Sequence, residues 1–323
     1  MSTVEPRLGP TLSGNDDPAA VAPAAVPRFS VAMNVHNGEA VIAEAIDSVL
    51  AQSFTDWELV IWDDCSTDRT AEICASYSDP RVRYFLSTER AGLDRNLPAR
   101  QARGEWLAFL DHDDIWLPNK LSAQNALIQQ DEEGRLGLVY GRTTRFDQRG
   151  RTWPFDRWHR PGRLPEGDIL VELLRKPIFI AVSSLAVRRA VFSELGGIPP
   201  NILHSNDYYL CLEIARRYRA ACAQELCCLY RVHPNSMSHT HRMQTLEEAL
   251  LILENFSDPA YQRLLRTQRR VLETCIGFEE IRARGAWRQG VSRILRQGSL
   301  TFLASRPFVR VVRRIRNAVM QWS

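Results

Sequence analysis

Apolar residues in the first third of the chain fall into short runs separated by amphipathic stretches. The runs at 29–33, 57–62, 82–85 and 106–110 are bounded by polar, turn-forming residues. Runs of this length predict strands buried on both faces. Between the first two, Ile42, Ile46, Val49 and Leu50 recur at helical spacing, and Gln52-Ser53-Phe54 closes that helix. A further helix is expected over 71–77, capped from the Ser, Thr and Asp at 66–70, and a loop and helix over 92–103. Strands alternating with helices predict the α/β class: a mostly parallel sheet with helices on both faces. Downstream, strands are expected at 136–141, 178–187 and within 222–231. Helices are expected at 188–195, ended by Gly196-Gly197, and just after Asp207. From 242 onward the pattern reads as helical, and 1–27, rich in Pro, Ala, Gly and Ser, as a disordered tail.

In parallel sheets ligands bind beyond the carboxyl ends of the strands. Asn34, Asp63 with Asp64, and Asp111 with Asp113 all stand at such ends. The stretch 104–118 is the densest: an apolar run breaks into Asp111-His112-Asp113-Asp114. Carboxylates there are costly unless something positive binds them, and Mg²⁺ or Mn²⁺ prefers such oxygens. The competing reading is an N-cap cluster for a helix starting near Leu117. Convergence of three strand ends favours one binding site over separate caps. No Gly-x-Gly-x-x-Gly follows the first strand and no Gly-x-x-x-x-Gly-Lys-Ser/Thr occurs. A carboxylate can instead accept from a base N–H or a ribose hydroxyl, while another holds a metal on the diphosphate.

The segments 29–37, 48–54, 58–70, 92–96 and 104–118 together resemble glycosyltransferase family 2. The resemblance is dense over 29–120 and looser to about 238. It implies a GT-A, Rossmann-like fold in 28–240, with a nucleotide-sugar half (28–125) and an acceptor half (126–240). It also implies a nucleotide-diphosphate sugar donor, UDP favoured, and inversion at the anomeric carbon. The acceptor would be a glycan or lipid-linked hydroxyl in cell-surface polysaccharide or glycolipid synthesis. By the same resemblance Asp64 contacts the base and Asn34 lines the nucleoside pocket. Asp111 and Asp113 form the Asp-x-Asp pair, Asp113 as direct ligand to Mn²⁺ or Mg²⁺ and Asp111 toward ribose or metal water. The Tyr230–Ser238 pattern brings Arg231 and His233 toward the diphosphate or metal. Asp207 is the implied catalytic base, against an N-cap reading from its position before a helix. Asn206 replaces the usual first acid of the pair. That change lowers local negative charge, and so the Asp207 pKa relative to a paired-acid enzyme. Asp94 stands where Ala is common and His36 where Tyr is common. A catalytically silent nucleotide-sugar-binding scaffold and a nucleotidyltransferase are the rival readings.

Composition narrows the setting. The net charge of +3 over 323 residues does not by itself imply nucleic acid. Seven cysteines without a Cys-x-x-Cys fit a reduced compartment, and the spacing of His233, His239 and His241 matches no common zinc site. No apolar run reaches the ~18 residues of a membrane span, and the N-terminus lacks a secretory signal, so the expected location is cytoplasmic. Trp153, Phe155, Trp158 and His159 read equally as an acceptor groove or an irregular surface. From Arg288 to the end there are eight Arg and no acid. Phe308, Val311, Val312, Ile315 and Val319 share one helical face, and Arg310, Arg313 and Arg314 the other. This suits either peripheral binding at the inner membrane face or packing on the domain or a partner.

Overall fold

The structure is a computed structural model describing residues 26–92, 94–155, 162–175, 180–233, 236–284 and 286–297. Residues 1–25 of the expected tail, Trp158, His159 and the 308–319 helix lie outside the described residues, as does the His239 side chain. The chain divides into two compact units, Met1–Thr240 and His241–Ser323.

In the first unit, β1 (Phe29–Val35), β2 (Trp57–Asp63), β3 (Val82–Leu86) and β4 (Trp106–Phe109) are parallel in the order β3-β2-β1-β4. Every residue of β1, β2 and β4 is buried, which explains their continuous apolar character. Helices α1 (Ile42–Leu50), α2 (Thr70–Ala75) and α3 (Asn96–Gln101) make the crossovers. Ile42, Ala45, Ile46 and Val49 of α1 join Val31, Met33, Leu59 and Ile61 in the main core. Burying each such side chain contributes roughly 1.5–3 kcal/mol.

Beyond β4 the sheet becomes mixed. It adds β5 (Ile115–Trp116), α4 (Lys120–Gln129), β6 (Leu136–Asp147), β7 (Thr152–Pro154) and α5 (Leu170–Arg175). β8 (Ala186–Arg188), α6 (Arg189–Glu194), α7 (Asn206–Ala215), β9 (Arg219–Val232) and α8 (Met237–Thr240) complete the unit. The full order is β3-β2-β1-β4-β8-β6-β9-β5, with β7 paired to β6. Of the strand expected at 178–187, residues 178 and 179 lie outside the described residues. Among the described ones, 182–184 form a 3₁₀ turn and Ala186–Arg188 is strand, because the Ser184 hydroxyl bonds back to Ala181 O and Ser183 turns toward Asp114. Conversely β6 runs on through the polar stretch to Asp147, held by β7 and β9.

The second unit contains α9 (Arg242–Asn255), α10 (Gln262–Arg284) and α11 (Trp287–Arg296). Gly277 and Gly290 let α10 and α11 cross closely, since a Cβ on Gly277 would stand 2.8 Å from Gly290 O.

Candidate active site

The site grows from the loops at the carboxyl ends of β1, β2 and β4. The first two clasp each other. Asn37 N–H donates to Ser66 Oγ at 2.8 Å, Thr67 N–H to Asn37 Oδ1 at 2.8 Å, and Gly38 N–H to Thr70 Oγ1 at 2.9 Å. Asn37 and Cys65 both have positive φ, 53° and 59°, a conformation tolerated only where surroundings dictate it. The polar run after β2 therefore does more than cap a helix: it fixes where Asp64 stands.

Asp64 is buried, and its carboxylate accepts from Ala91 N–H at 2.6 Å and Gly92 N–H at 3.0 Å, with Arg90 Nε at 3.2 Å. His36 Nδ1 lies 2.9 Å from Asp64 O. Asn34 pairs with Trp62 in the sheet. Its Nδ2 donates to Asp94 O at 3.1 Å, while its Oδ1 is buried with no hydrogen-bond partner among the described residues. A buried acceptor without a donor is costly, so Asn34 is prepared to receive one.

The third loop is a tight turn, Asp114 N–H donating to Asp111 O at 3.0 Å. Helix α4 begins only at Lys120 with Asn119 before it, so the acids do not cap it. Among the described residues, Asp111, Asp113 and Asp114 form the one group of three potential metal ligands, with oxygens within 4.8 Å of one another. Each is placed differently. Asp114 is buried, accepting from the Ser183 hydroxyl and from Arg231 N–H at 2.9 Å. Burial, with Asp113 and Asp111 beside it, raises its pKa well above the usual carboxylate value. Asp113 Oδ2 meets His233 Nε2 at 3.0 Å, and Asp113 O accepts from Arg231 Nε at 2.7 Å. Asp111 Oδ1 pairs with Arg95 Nη1 at 2.7 Å, and Asp111 N–H donates to Ser183 Oγ at 3.1 Å. Asp111 and Asp113 are only half-buried. Among the described residues, no hydrogen bond is recorded for the second oxygen of either. Hard, partly open oxygens at one corner fit Mn²⁺ or Mg²⁺, with Asp113 and Asp111 as holders and Asp114 behind them.

Asp207 lies in the first turn of α7, after the N-cap Ser205. Its Oδ1 accepts from the adjacent Tyr208 N–H at 2.7 Å, and the N-cap position itself is Ser205, so the simple cap reading does not describe it. Burial pushes its pKa up to about 6; the Tyr208 N–H and Arg95 pull it down, and the Asp111 charge adds to the rise. Relative to an ordinary aspartate, burial therefore sets the direction; the lowering expected from Asn206 is relative to a paired-acid enzyme and is a separate effect. Asn206 Oδ1 accepts from Arg95 Nε at 3.1 Å.

Arg95 is a site residue that the sequence pattern does not single out. It is 4% exposed and spans from Asp111 to Asn206. Burial lowers its pKa, but Asp111, then Asp207 and Asp114, offset this and hold the guanidinium above its ordinary value. Its only signal was its place in Asp94-Arg95-Asn96. Ser183 and Glu44 are not singled out either; Glu44 Oε2 takes Arg231 Nη2 at 2.9 Å. Of the aromatics proposed for an acceptor groove, Phe155 packs edge-on against Tyr230 and under Arg145. Phe146 and Arg231, stacked at 4.6 Å, occupy the alternate positions of the same two strands, so Phe155 lies across the sheet from Arg231.

The sequence profile described as glycosyl transferase family 2 matches residues 30–196, just over half the chain. The chain belongs to glycosyltransferase family 2. Relatives within the family include the UDP-Glc:alpha-D-GlcNAc-diphosphoundecaprenol beta-1,3-glucosyltransferase WfgD of Escherichia coli, 27% identical over 239 residues, 73% of this chain and 88% of WfgD. The putative teichuronic acid biosynthesis glycosyltransferase TuaG of Bacillus subtilis is 31% identical over 219 residues, 66% of this chain and 82% of TuaG. Among solved structures, S. aureus TarS 1-349 in complex with UDP-GlcNAc aligns with a TM-score of 0.61 at 15% identity, covering 83% of this chain and 89% of that one. The mannosyltransferase PcManGT from Pyrobaculum calidifontis, in complex with GDP-Man and Mn²⁺, aligns at 0.59 with 19% identity, covering 94% and 84%. At such identities the structures establish the GT-A fold of this family 2 member.

Proposed function

We propose that this glycosyltransferase moves a sugar, with inversion, from a nucleotide-diphosphate donor to an acceptor hydroxyl in the synthesis of a cell-surface polysaccharide or glycolipid. The UDP-Glc donor of WfgD and the UDP-GlcNAc complex of TarS support a UDP-sugar donor. The diphosphoundecaprenol-linked acceptor of WfgD also supports a lipid-linked acceptor. The observation that carries the proposal is Arg95, whose bonds to Asp111 and Asn206 tie the acidic corner to the helix that carries Asp207.

In this reading Asp64 and Asn34 hold the nucleoside, the unpartnered Asn34 Oδ1 accepting from it. Arg231 and His233 stand beside Asp113 and face the diphosphate. Asp113 and Asp111 hold Mn²⁺ or Mg²⁺, which when bound neutralises negative charge on the leaving diphosphate. Asp207 takes the proton from the acceptor hydroxyl as its oxygen attacks the anomeric carbon opposite the leaving group. A pKa near 6 leaves it ionised at neutral pH yet more basic than an ordinary aspartate. No covalent enzyme intermediate is needed. The work takes place at the cytoplasmic face of the membrane, and no helix among the described residues is long and apolar enough to cross it.

The test combines donor binding with turnover. UDP-sugars with Mn²⁺ should raise the melting temperature of the wild type and of Asp207→Asn alike, and only the wild type should transfer. Asp113→Ala should lose the Mn²⁺-dependent part of that rise. A wild type that binds donor but neither transfers nor hydrolyses it is the scaffold instead. Asp207→Asn transferring at the wild-type rate removes the base assignment.

A further inference from the structure

Helix α11 has two unlike faces. Inward, Ile294 and Gly290 are buried against α10. Arg293 is tied down by Glu273 at 2.7 Å and by Glu280 at 3.1 Å. Outward, Val291 and Leu295, one turn apart, are 42% and 63% exposed. They are two of the four large apolar residues that are exposed among the described ones. Beside them runs a second exposed row, Arg288, Ser292 and Arg296. Among the described residues, no ion pair is recorded for Arg288 or Arg296. An apolar ridge flanked by unpaired arginines is expensive in water and matches an interface where acyl chains meet anionic headgroups.

Charge decides between possible occupants. From Arg288 to Ser323 the chain carries eight Arg and no Asp or Glu. The chain that follows α11 is therefore as basic as the row on α11, and covering one with the other brings like charges together. Nucleic acid would satisfy the arginines but leave Val291 and Leu295 in water. We infer that the outer face of α11 docks on an anionic lipid surface, Val291 and Leu295 entering the acyl boundary and Arg288 and Arg296 contacting the lipid phosphates. This rests on the proposal of a lipid-linked acceptor, to which it adds the surface that brings the enzyme to its substrate.

The experiment is flotation of the full chain with vesicles of phosphatidylcholine alone or with about one third phosphatidylglycerol, at low and high salt, as each basic residue near such a surface contributes measurably. Binding should need phosphatidylglycerol and weaken with salt. Val291→Asp with Leu295→Asp should lower the bound fraction by about tenfold or more. Arg288→Glu with Arg296→Glu, wholly on the surface, should do the same and guards against misfolding of the first variant. Both should keep wild-type UDP-sugar stabilisation, which reports on the donor site separately. Equal binding by the wild type and both variants overturns the inference, as does no binding to phosphatidylglycerol vesicles. Loss of self-association in the variants without lipid binding by the wild type assigns the face to a second copy and also overturns it.

Discussion

The Arg95 guanidinium holds the Asp111 carboxylate at 2.7 Å from a position almost closed to water. Its Nε simultaneously donates to Asn206. One planar cation thus fixes the distance between the acidic corner and the start of α7. Lysine carries the charge but not the fork. Arg95→Lys should keep the fold and lower kcat by about one to two orders of magnitude, the scale on which small misplacements of reacting groups act. The KM for donor should change less. Arg95→Ala takes the donor away from the half-buried Asp111 and the buried Asn206 Oδ1 and should cost roughly 1–3 kcal/mol of stability. A lysine variant with unchanged kcat would show that Arg95 only braces the fold.

Asp207 sets a pH dependence. With its pKa near 6, the base is protonated below that value, so kcat should fall about tenfold per pH unit on the acid side. Stability carries the opposite sign. The folded state binds this proton more tightly than the unfolded chain, so the contribution of Asp207 declines as pH rises from about 4 to 6. Asn206→Asp places a second carboxylate beside Asp207 and in contact with Arg95. Like charge disfavours ionisation, so the acid limb should move to higher pH. A limb that stays put would mean the Arg95 charge absorbs the new carboxylate.

The strand ends that carry Asn34, Asp64 and Asp111 were readable because a strand buried on both faces writes itself as an unbroken apolar run. The polar residues after it then mark the edge of the sheet. What could not be read was pairing across the fold. Arg95 looks like any loop arginine until Asn206, 111 residues away, is placed against it. Ser183 fell inside an apolar run that reads as strand, because the pattern cannot show that its hydroxyl is claimed by Asp114. The resemblance over 48–54 has a physical basis that pattern alone does not show: Ser48 Oγ accepts from Trp116 N–H, and Gln52 bonds Leu117 O and Leu121 N–H. These bonds fix the chain just beyond the acids.

Lys120 has no place in the proposed chemistry, yet it is fully buried. Its Nζ donates to Gln124 Oε1 at 2.8 Å and sits 3.9 Å over the Trp116 ring. Burial pulls its pKa down to about 7, with Cys227 and Cys228 opposing. Between pH 7 and about 10 the unfolded chain binds this proton and the folded state does not, so stability gains from the group as pH rises. Lys120→Met removes both the buried charge and that gain. Measured against wild type, its melting temperature should therefore look best near pH 6 and worsen steadily toward pH 10. A difference that is flat with pH would show that the amine titrates normally inside the fold.

Gly290 tests whether close helix contact holds the second unit together. A Cβ there would collide with Gly277 O and come within 2.6 Å of Ile281 Cγ1. The first obstacle is backbone and cannot rotate away, so α11 must shift from α10. Alanine is the better helix former by roughly 0.5–1 kcal/mol, but overpacking of this kind costs typically ~1–3 kcal/mol. The net effect of Gly290→Ala should be destabilising. Displacing α11 also strains the bonds from Arg293 to Glu273 and Glu280, which stiffens the dependence on this one position. Hydrogen exchange should then quicken along 262–296 while the strands of the first unit keep their protection. If alanine leaves exchange in α10 and α11 unchanged or slows it, helix propensity outweighs the crossing, and glycine is not required there.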